Sequence, residues 1–192
     1  MKTITIKQPF ASLIVEGIKD IENRTRKCPS QYIGHRVLIH AQTGTQLSSQ
    51  SFLSAERLIK AKKDLDKNAK FDNLFLKGAI IGSVEILGCV INHESIWAEK
   101  TPYLHLGKLT IECQEPIYNW TLANPIKFTK PIFVMGRLGF WESECEILIC
   151  PKCNSYCLHD NHDLEVNNWG NPIHECEHCG YIILESEFEY LK

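Results

Sequence analysis

Four cysteines near the C-terminus stand in two C-x-x-C pairs, a spacing that is typical of a metal site. Cys150 and Cys153 form the first pair, and Cys176 and Cys179 form the second. Zinc is bound tetrahedrally by four ligands, and each C-x-x-C turn can place two thiolates on one ion. The sequence therefore predicts a zinc ribbon. Because the protein fills all four positions, we expect the Zn²⁺ to be structural and not catalytic.

Several other residues in this segment are alternative ligands. The four paired cysteines explain the spacing without them. A redox role for one C-x-x-C pair would not require a second pair followed by Gly and Tyr. The alternative ligands are Cys157, His159, His162, His174 and His178.

A second group of reactive side chains follows the pattern Gly17-x-Lys19-x-x-Glu22-x-Arg24. Arg24 offers a planar fork for a phosphate or a base edge, and Lys19 is a compact donor. Glu22 can accept a hydrogen bond from a nucleobase amine or hold Arg24 in place. The same residues can also form a solvated turn with an ordinary salt bridge, and the pattern leaves both interpretations open.

Aromatic and titratable residues elsewhere could complete a site for an unstacked base. His40 ends an apolar run and could titrate near neutrality. Trp97, Trp120 and Trp141 offer flat faces for stacking. Among them Trp120 is the preferred platform, because it lies in a polar segment bounded by prolines. Each of these residues could instead belong to the core.

The spacing of apolar and polar residues predicts the helices and strands that position these side chains. Residues 3–7 alternate as a strand does, and Pro9 suits the first turn of a helix that ends at Gly17. Residues 19–24 are expected to form a strand with Glu22 and Arg24 on one face, although alternation does not fix the direction of Lys19. Further predicted elements are a strand ending at His40, a helix over 51–65, a loop over 67–77, and strands over 79–91, 108–112, 120–122 and 133–138.

These elements predict an α+β fold, with a curved, mostly antiparallel sheet and two or three helices. Gly82 and Gly88 within the 79–91 strand indicate bulges that would curve the sheet. A length of 192 residues allows one domain and a small appendage. We expect the boundary between residues 144 and 145, with the zinc ribbon spanning 145–192.

Charge divides along the same boundary. Residues 1–144 contain 19 Lys and Arg against 14 Asp and Glu, whereas residues 145–192 contain 2 against 9. If a polyanion binds, the charge favours the N-terminal part, although the same charges also suit an ordinary solvated surface, and a protein partner is a possible ligand of the acidic ribbon. The sequence contains no apolar run of signal-peptide or membrane-span length, so we expect an intracellular, cytoplasmic protein.

The segments that carry these features resemble the ASCH domain, a PUA-like β-barrel. They read IKQPFASLIVEGIKDIENRT, GHRVLIHA, GAIIGSVEILGCV and YNWTLANPIKFTKPIFVMGRLGFWE, and the resemblance covers residues 3 to 142. The zinc ribbon lies outside it. The resemblance implies binding of RNA, as a single-stranded or modified nucleotide, in the cleft of the barrel. Together with the residue chemistry above, the predicted binding residues are Gln8, Lys19, Glu22, Arg24, His40 and Trp120.

Hydrolysis is the alternative that the resemblance leaves open. The N4-acetylcytidine amidohydrolases, which resemble this domain, use a lysine, a threonine and a glutamate. Lys19 matches the lysine, but Glu22 stands at the threonine position, and either Glu94 or Glu99 could match the glutamate. Lys19 and Glu22 could also serve as base and acid in the cleavage of RNA or of an acylated nucleoside.

Overall fold

A computed structural model describes residues 1–43, 63, 76–101, 103–106, 109–112, 115–161 and 164–191. The chain is rich in strands, and short 3₁₀ turns lie at Ser30–Tyr32 and Glu185–Glu187. The longer elements are β1 (Lys2–Ile6), α1 (Phe10–Val15), β2 (Ile21–Arg24), β3 (His35–Ala41), β4 (Ala79–Ile91), β5 (Tyr103–Leu106), β6 (Leu109–Glu112), β7 (Tyr118–Phe133), β8 (Phe140–Glu142), β9 (Cys145–Ile149), β10 (Tyr156–Asp160), β11 (Glu165–Val166), β12 (Pro172–Glu175) and β13 (Ile182–Leu184).

Six strands form a curled half-barrel in the order β2-β7-β4-β3-β1-β8. The pair β1 and β3 is parallel, and every other neighbouring pair in this sheet is antiparallel. The predicted mostly antiparallel sheet is therefore confirmed. The expected central strand is β3, whose buried residues Val37, Leu38 and Ile39 lie between β1 and β4.

The curvature of the sheet comes from bulges in the long β4 and β7 pair. The register shifts before Gly82 and before Gly88, at the two glycines that the sequence singled out. A Cβ at Gly82 would overlap the Ile126 carbonyl and the Val15 side chain. Only glycine therefore allows β7 and α1 to approach β4 this closely.

The strand predicted at 120–122 is confirmed but is longer than expected, and the strand predicted at 133–138 was wrong. One continuous strand, β7, contains the expected strand at 120–122 and runs through Pro125 and Pro131. Neither proline has a partner on β4, because both lie where the register of the ladder shifts. A proline is tolerated at such a position since no ladder hydrogen bond is required of it. The expected strand at 133–138 is instead a loop over residues 134–139.

Helix α1 lies beside the sheet, and the turn after it leads into β2. Its last turn closes on Gly17, which has φ of +73° as predicted for a helix terminus. The N–H groups of Ile18 and Lys19 both donate to the carbonyl of Leu13, so the chain turns back across the helix. The predicted helix over 51–65 and most of the predicted loop over 67–77 lie outside the described residues, apart from a helical Lys63.

The C-terminal strands pack against the half-barrel. Strands β9 and β10 form an antiparallel hairpin, and β11, β12 and β13 form a three-stranded sheet. Ile147 and Leu158 of the hairpin join Leu38, Phe128 and Trp141 of the half-barrel in one buried cluster. The two parts therefore share an apolar core. In the part of the chain that the structure describes, no helix has the length and apolar character needed to cross a membrane.

Candidate functional site

A pocket of about 410 Å³, called the Lys19 pocket below, opens beside β1, β2 and the 134–139 loop. Lys19, Glu22 and Arg24 line it, so three of the residues singled out in the sequence lie together. Strand alternation explains why Glu22 and Arg24 share a face. Lys19 reaches the same place because the turn after α1 directs it inward.

Glu22 bridges the two cations of the pocket. Its Oε2 lies 3.2 Å from Lys19 Nζ, and its Oε1 lies 3.0 Å from Arg24 Nε. The Arg24 Nε–H is not aligned for a hydrogen bond, so this second contact is ionic. Lys19 also donates to the Ile21 carbonyl, and Arg24 Nη2 donates to the Thr5 carbonyl at 2.9 Å. The triad has one more positive than negative charge.

Burial sets the electrostatics of Lys19. Its side chain is 3% exposed, and desolvation lowers the pKa of its ammonium group, although the Glu22 carboxylate opposes that shift. The ammonium also lies 5.4 Å from the centre of the Phe10 ring, a distance that permits a cation–π contact. A buried lysine of this kind is a candidate functional group, because less free energy is needed to deprotonate it.

Asn23 organises the opposite wall, a role that the sequence analysis did not predict. Its Oδ1 accepts a hydrogen bond from the Glu99 backbone N–H at 3.0 Å, and its Nδ2 donates to the Trp97 carbonyl at 2.9 Å. Both Trp97 and Glu99 line the pocket, whereas Glu94 does not. Periodicity places Asn23 opposite Glu22 and Arg24, and nothing in the sequence signals its distant partners.

One donor in this wall has no partner. The indole Nε1–H of Trp97 is buried and makes no hydrogen bond to any residue that the structure describes. Buried polar groups are nearly always hydrogen-bonded, so this unpaired donor is an exception, and its burial keeps it out of reach of a ligand in the pocket.

The structure places Gln8, His40 and Trp120 outside the pocket lining. Gln8 supports α1, because its Oε1 accepts from the Ser12 N–H at 3.1 Å and its Nε2 donates to the Leu76 carbonyl at 2.7 Å. His40 is buried, and its Nε2 donates to the Val134 carbonyl at 3.1 Å. Burial lowers the pKa of His40. Direct contact of these residues with a ligand stays a prediction.

Trp120 lacks the open face that a stacking platform needs. It is 5% exposed, and its ring lies parallel to Phe140 with centroids 5.4 Å apart. The Arg24 guanidinium lies 5.8 Å from the indole ring. Trp120 therefore lies near Arg24 and is largely covered in this structure, and stacking of a base on its ring stays a prediction. Trp97 and Trp141 are also core residues, as the alternative interpretation expected.

The four paired cysteines form the second candidate site. All four Sγ atoms lie within 4.8 Å of one another. The Cys150 and Cys179 sulfurs are 3.8 Å apart, and the Cys153 and Cys176 sulfurs are 3.6 Å apart. Four sulfurs about 2.3 Å from a tetrahedral zinc ion would be about 3.8 Å apart. The cluster is therefore close enough to hold a metal ion, and its spacing fits zinc.

The two C-x-x-C turns have the same backbone design. The residue four positions after each first cysteine, Asn154 or Gly180, has a positive φ and donates its N–H to that cysteine's carbonyl. Each first cysteine then donates its own N–H across the hairpin, to Ser155 and to Tyr181 respectively. This repetition explains the Gly in the second turn, since asparagine and glycine tolerate the left-handed conformation best.

Hydrogen bonds favour the ionised form of one cysteine in the cluster. Burial opposes ionisation of Cys176, but bonds from Ser155 and from two backbone N–H groups lower its pKa to about 5. Burial raises the pKa of Cys157 to about 12, and its thiol donates to the Cys176 sulfur at 3.9 Å. His162 lies outside the described residues. The other alternative ligands are not part of the described cluster: Cys157, His159, His174 and His178.

Comparisons with known proteins identify the family to which this chain belongs. No curated protein matches the chain. The chain is similar to the crystal structure of ASCH from Zymomonas mobilis, with 16% sequence identity, a TM-score of 0.37, and coverage of 69% of this chain and 72% of that one. The family model described as the ASCH domain matches residues 4–132, which include Lys19, Glu22 and Arg24 and precede the cysteine cluster. This match spans more than half of the sequence, and the chain therefore belongs to the ASCH domain family.

Proposed function

We propose that this ASCH protein binds RNA by accepting one unpaired or modified nucleotide in the Lys19 pocket. The ASCH family is generally linked to RNA binding. The observation that carries the proposal is the bridge from Glu22 to Lys19 and Arg24 at the wall of an open pocket. The bridge fixes the cations in place, so less conformational entropy is lost when a ligand binds.

The unused hydrogen-bonding groups of the pocket suit a nucleobase. Arg24 Nη1 makes no hydrogen bond to a described residue, so it is able to donate to a ligand. The exposed Glu99 supplies acceptor oxygens. A base has both donors and acceptors on its edge, whereas a phosphate offers acceptors alone and would be repelled by Glu99.

Equilibrium binding of a fluorescently labelled, random-sequence single-stranded RNA of twelve nucleotides tests this function. Anisotropy measured at increasing salt should show an affinity that falls as salt rises, because phosphate contacts release counterions. Binding that is absent, or that does not depend on salt, would reject the proposal.

Hydrolysis of RNA or of an acylated nucleoside is a second candidate function. It is favoured by the buried Lys19 ammonium, whose pKa is lowered and which lies 3.2 Å from Glu22, with Glu99 lining the same pocket. A neutral Lys19 could accept a proton while Glu22 holds it in place. Product formation should then disappear in Lys19→Ala and Glu22→Gln proteins, and turnover that survives both changes would exclude these residues as catalytic groups.

We further propose that the cysteine cluster binds Zn²⁺ and that residues 145–192 form a zinc ribbon appended to an ASCH domain over 1–144. Cys150, Cys153, Cys176 and Cys179 would hold the ion, which would supply folding free energy to short strands. An acidic surface with exposed Trp169 and Leu184 also makes this ribbon a candidate docking site for a protein partner.

A further inference from the structure

Leu138 is a large apolar side chain that projects into solvent at the mouth of the Lys19 pocket. It is 93% exposed and is nevertheless one of the pocket-lining residues. Isolated exposed leucines are common, but this one stands beside a polar site and follows Arg137, which is also exposed. Its position places an aliphatic side chain at the edge of a polar site.

The 134–139 loop that carries Leu138 is held at several points. The Val134 carbonyl accepts from His40, and a Cβ at Gly136 would overlap the His40 ring, so the loop lies directly on this histidine. The Arg137 carbonyl accepts from Thr5 Oγ1 at 2.6 Å. Trp141 Nε1 in turn donates to the same Thr5 oxygen at 3.1 Å. The bonds to Val134 and Arg137 thus fix the backbone before Leu138, and the pairing of Phe140 with β1 fixes it after.

Cations flank the leucine. Arg137 precedes it, and Lys7, which is exposed, lines the same pocket. Neither side chain has an ion pair with any residue in the part of the chain that the structure describes. Free cations beside an aliphatic side chain favour a nucleic acid, because a strand presents phosphates next to flat apolar base faces.

We propose that Leu138 is a wedge that replaces the nucleotide base drawn into the pocket and packs against the face of the neighbouring base. Proteins that unstack bases insert leucine and similar side chains between base steps in this way. Arg137 and Lys7 contact the flanking phosphates. The ligand is therefore a nucleotide within a strand and not a free nucleoside. This inference rests on the proposed RNA-binding function and adds the class of RNA ligand.

A fluorescent base analogue tests the wedge. The probe is a random-sequence, single-stranded RNA of twelve nucleotides with 2-aminopurine at its centre, an analogue whose emission rises when it loses its stacked neighbours. A mixture of the four nucleoside monophosphates serves as the competitor that has no neighbouring base. The variants are Leu138→Ala and the matched control Met135→Ala, which alters a side chain on the same loop that is 90% exposed but does not line the pocket.

We expect the wild-type protein and Met135→Ala to raise the emission and to prefer the oligonucleotide to the mononucleotides. Leu138→Ala should lose the rise and reduce that preference about tenfold, the size of one lost stacking contact. Leu138→Met should restore both.

Three outcomes would overturn the inference. If Leu138→Ala binds and fluoresces as the wild type does, the leucine serves another contact, such as one with a protein, while the RNA-binding function stands. If Met135→Ala causes the same loss as Leu138→Ala, the effect belongs to the loop and not to a wedge. If the wild-type protein does not bind the oligonucleotide, the proposed function fails and the wedge fails with it.

Discussion

One oxygen of the Glu22 carboxylate lies 3.0 Å from Arg24 Nε, and the other lies 3.2 Å from Lys19 Nζ. A single buried acid therefore forms ion pairs with two cations. The side chains of Lys19 and Glu22 are almost fully shielded from water, whereas Arg24 is partly open to the pocket. Glu22 therefore stabilises the fold as well as the site, and Arg24 is the residue of these three that can contact a ligand.

Replacing Glu22 by glutamine should destabilise the protein. The change leaves the Lys19 ammonium buried beside a neutral amide, and breaking a buried ion pair from one side costs about 3 kcal/mol or more in free energy of unfolding. Chemical denaturation measures the loss. The matched control is Glu142→Gln, which removes the more exposed partner of Lys2 and should cost less than about 1 kcal/mol. Equal losses in the two variants would show that Lys19 does not depend on Glu22.

His40 should make the protein less stable in mild acid. Burial lowers its pKa below the ordinary 6.5, so the unfolded chain binds a proton at a pH where the folded chain does not. Stability from this residue is complete above pH of about 6.5 and is lost as the pH falls toward the folded pKa. Denaturation at pH 7 and pH 5 should show a smaller acid loss in His40→Gln than in the wild type, and identical losses would contradict this assignment.

The purified protein should contain one zinc ion held by the four paired cysteines. Metal analysis should show that Cys153→Ser reduces zinc occupancy, because Cys153 belongs to the cluster. Cys157→Ser is the matched control, since it alters a nearby thiol that only donates to Cys176. Full zinc content in Cys153→Ser, or a loss in Cys157→Ser equal to that in Cys153→Ser, would show that the ligands are assigned incorrectly.

Truncation after residue 144 should destabilise the ASCH domain and not leave it intact. The cut removes Cys145, Ile147 and Leu158 from the cluster that covers Leu38 and Trp141. It also removes the Cys145 carbonyl, which accepts a hydrogen bond from the N-terminal ammonium at 3.1 Å. We expect a lower midpoint of thermal unfolding for residues 1–144 than for the full chain. An unchanged midpoint would show that the shared core contributes little.

Local patterns in the sequence predicted the parts of the structure that depend on neighbouring residues. β-branched residues and the two glycines located β4 and its bulges, and the ASCH resemblance is confirmed by the family match. The two C-x-x-C pairs located the cysteine cluster because that chemistry depends on spacing. Strand alternation did not predict the direction of Lys19, because that direction follows from the turn after α1.

Contacts between distant segments were not predictable in the same way. Pro125 and Pro131 read as strand ends, but gaps in the β4 ladder accommodate both of them. Trp120 lies in a polar segment and is buried all the same, because Phe140 covers its ring. Glu99 and Leu138 line the same pocket as Arg24 because loops far apart in the sequence pack next to each other. Periodicity describes single elements and does not predict how such loops pack.

Comparison of Arg24 variants in RNA binding tests the central claim most directly. The probe is the labelled random-sequence single-stranded RNA. The proteins are the wild type, Arg24→Ala, Arg24→Lys and the control Lys2→Ala, which changes a half-buried cation outside the pocket lining. We predict that Arg24→Ala weakens binding about tenfold or more, that Arg24→Lys recovers only part of it because the planar fork is lost, and that Lys2→Ala binds as the wild type does. Equal affinities for the wild type and Arg24→Ala would contradict the proposal that RNA is bound in this pocket.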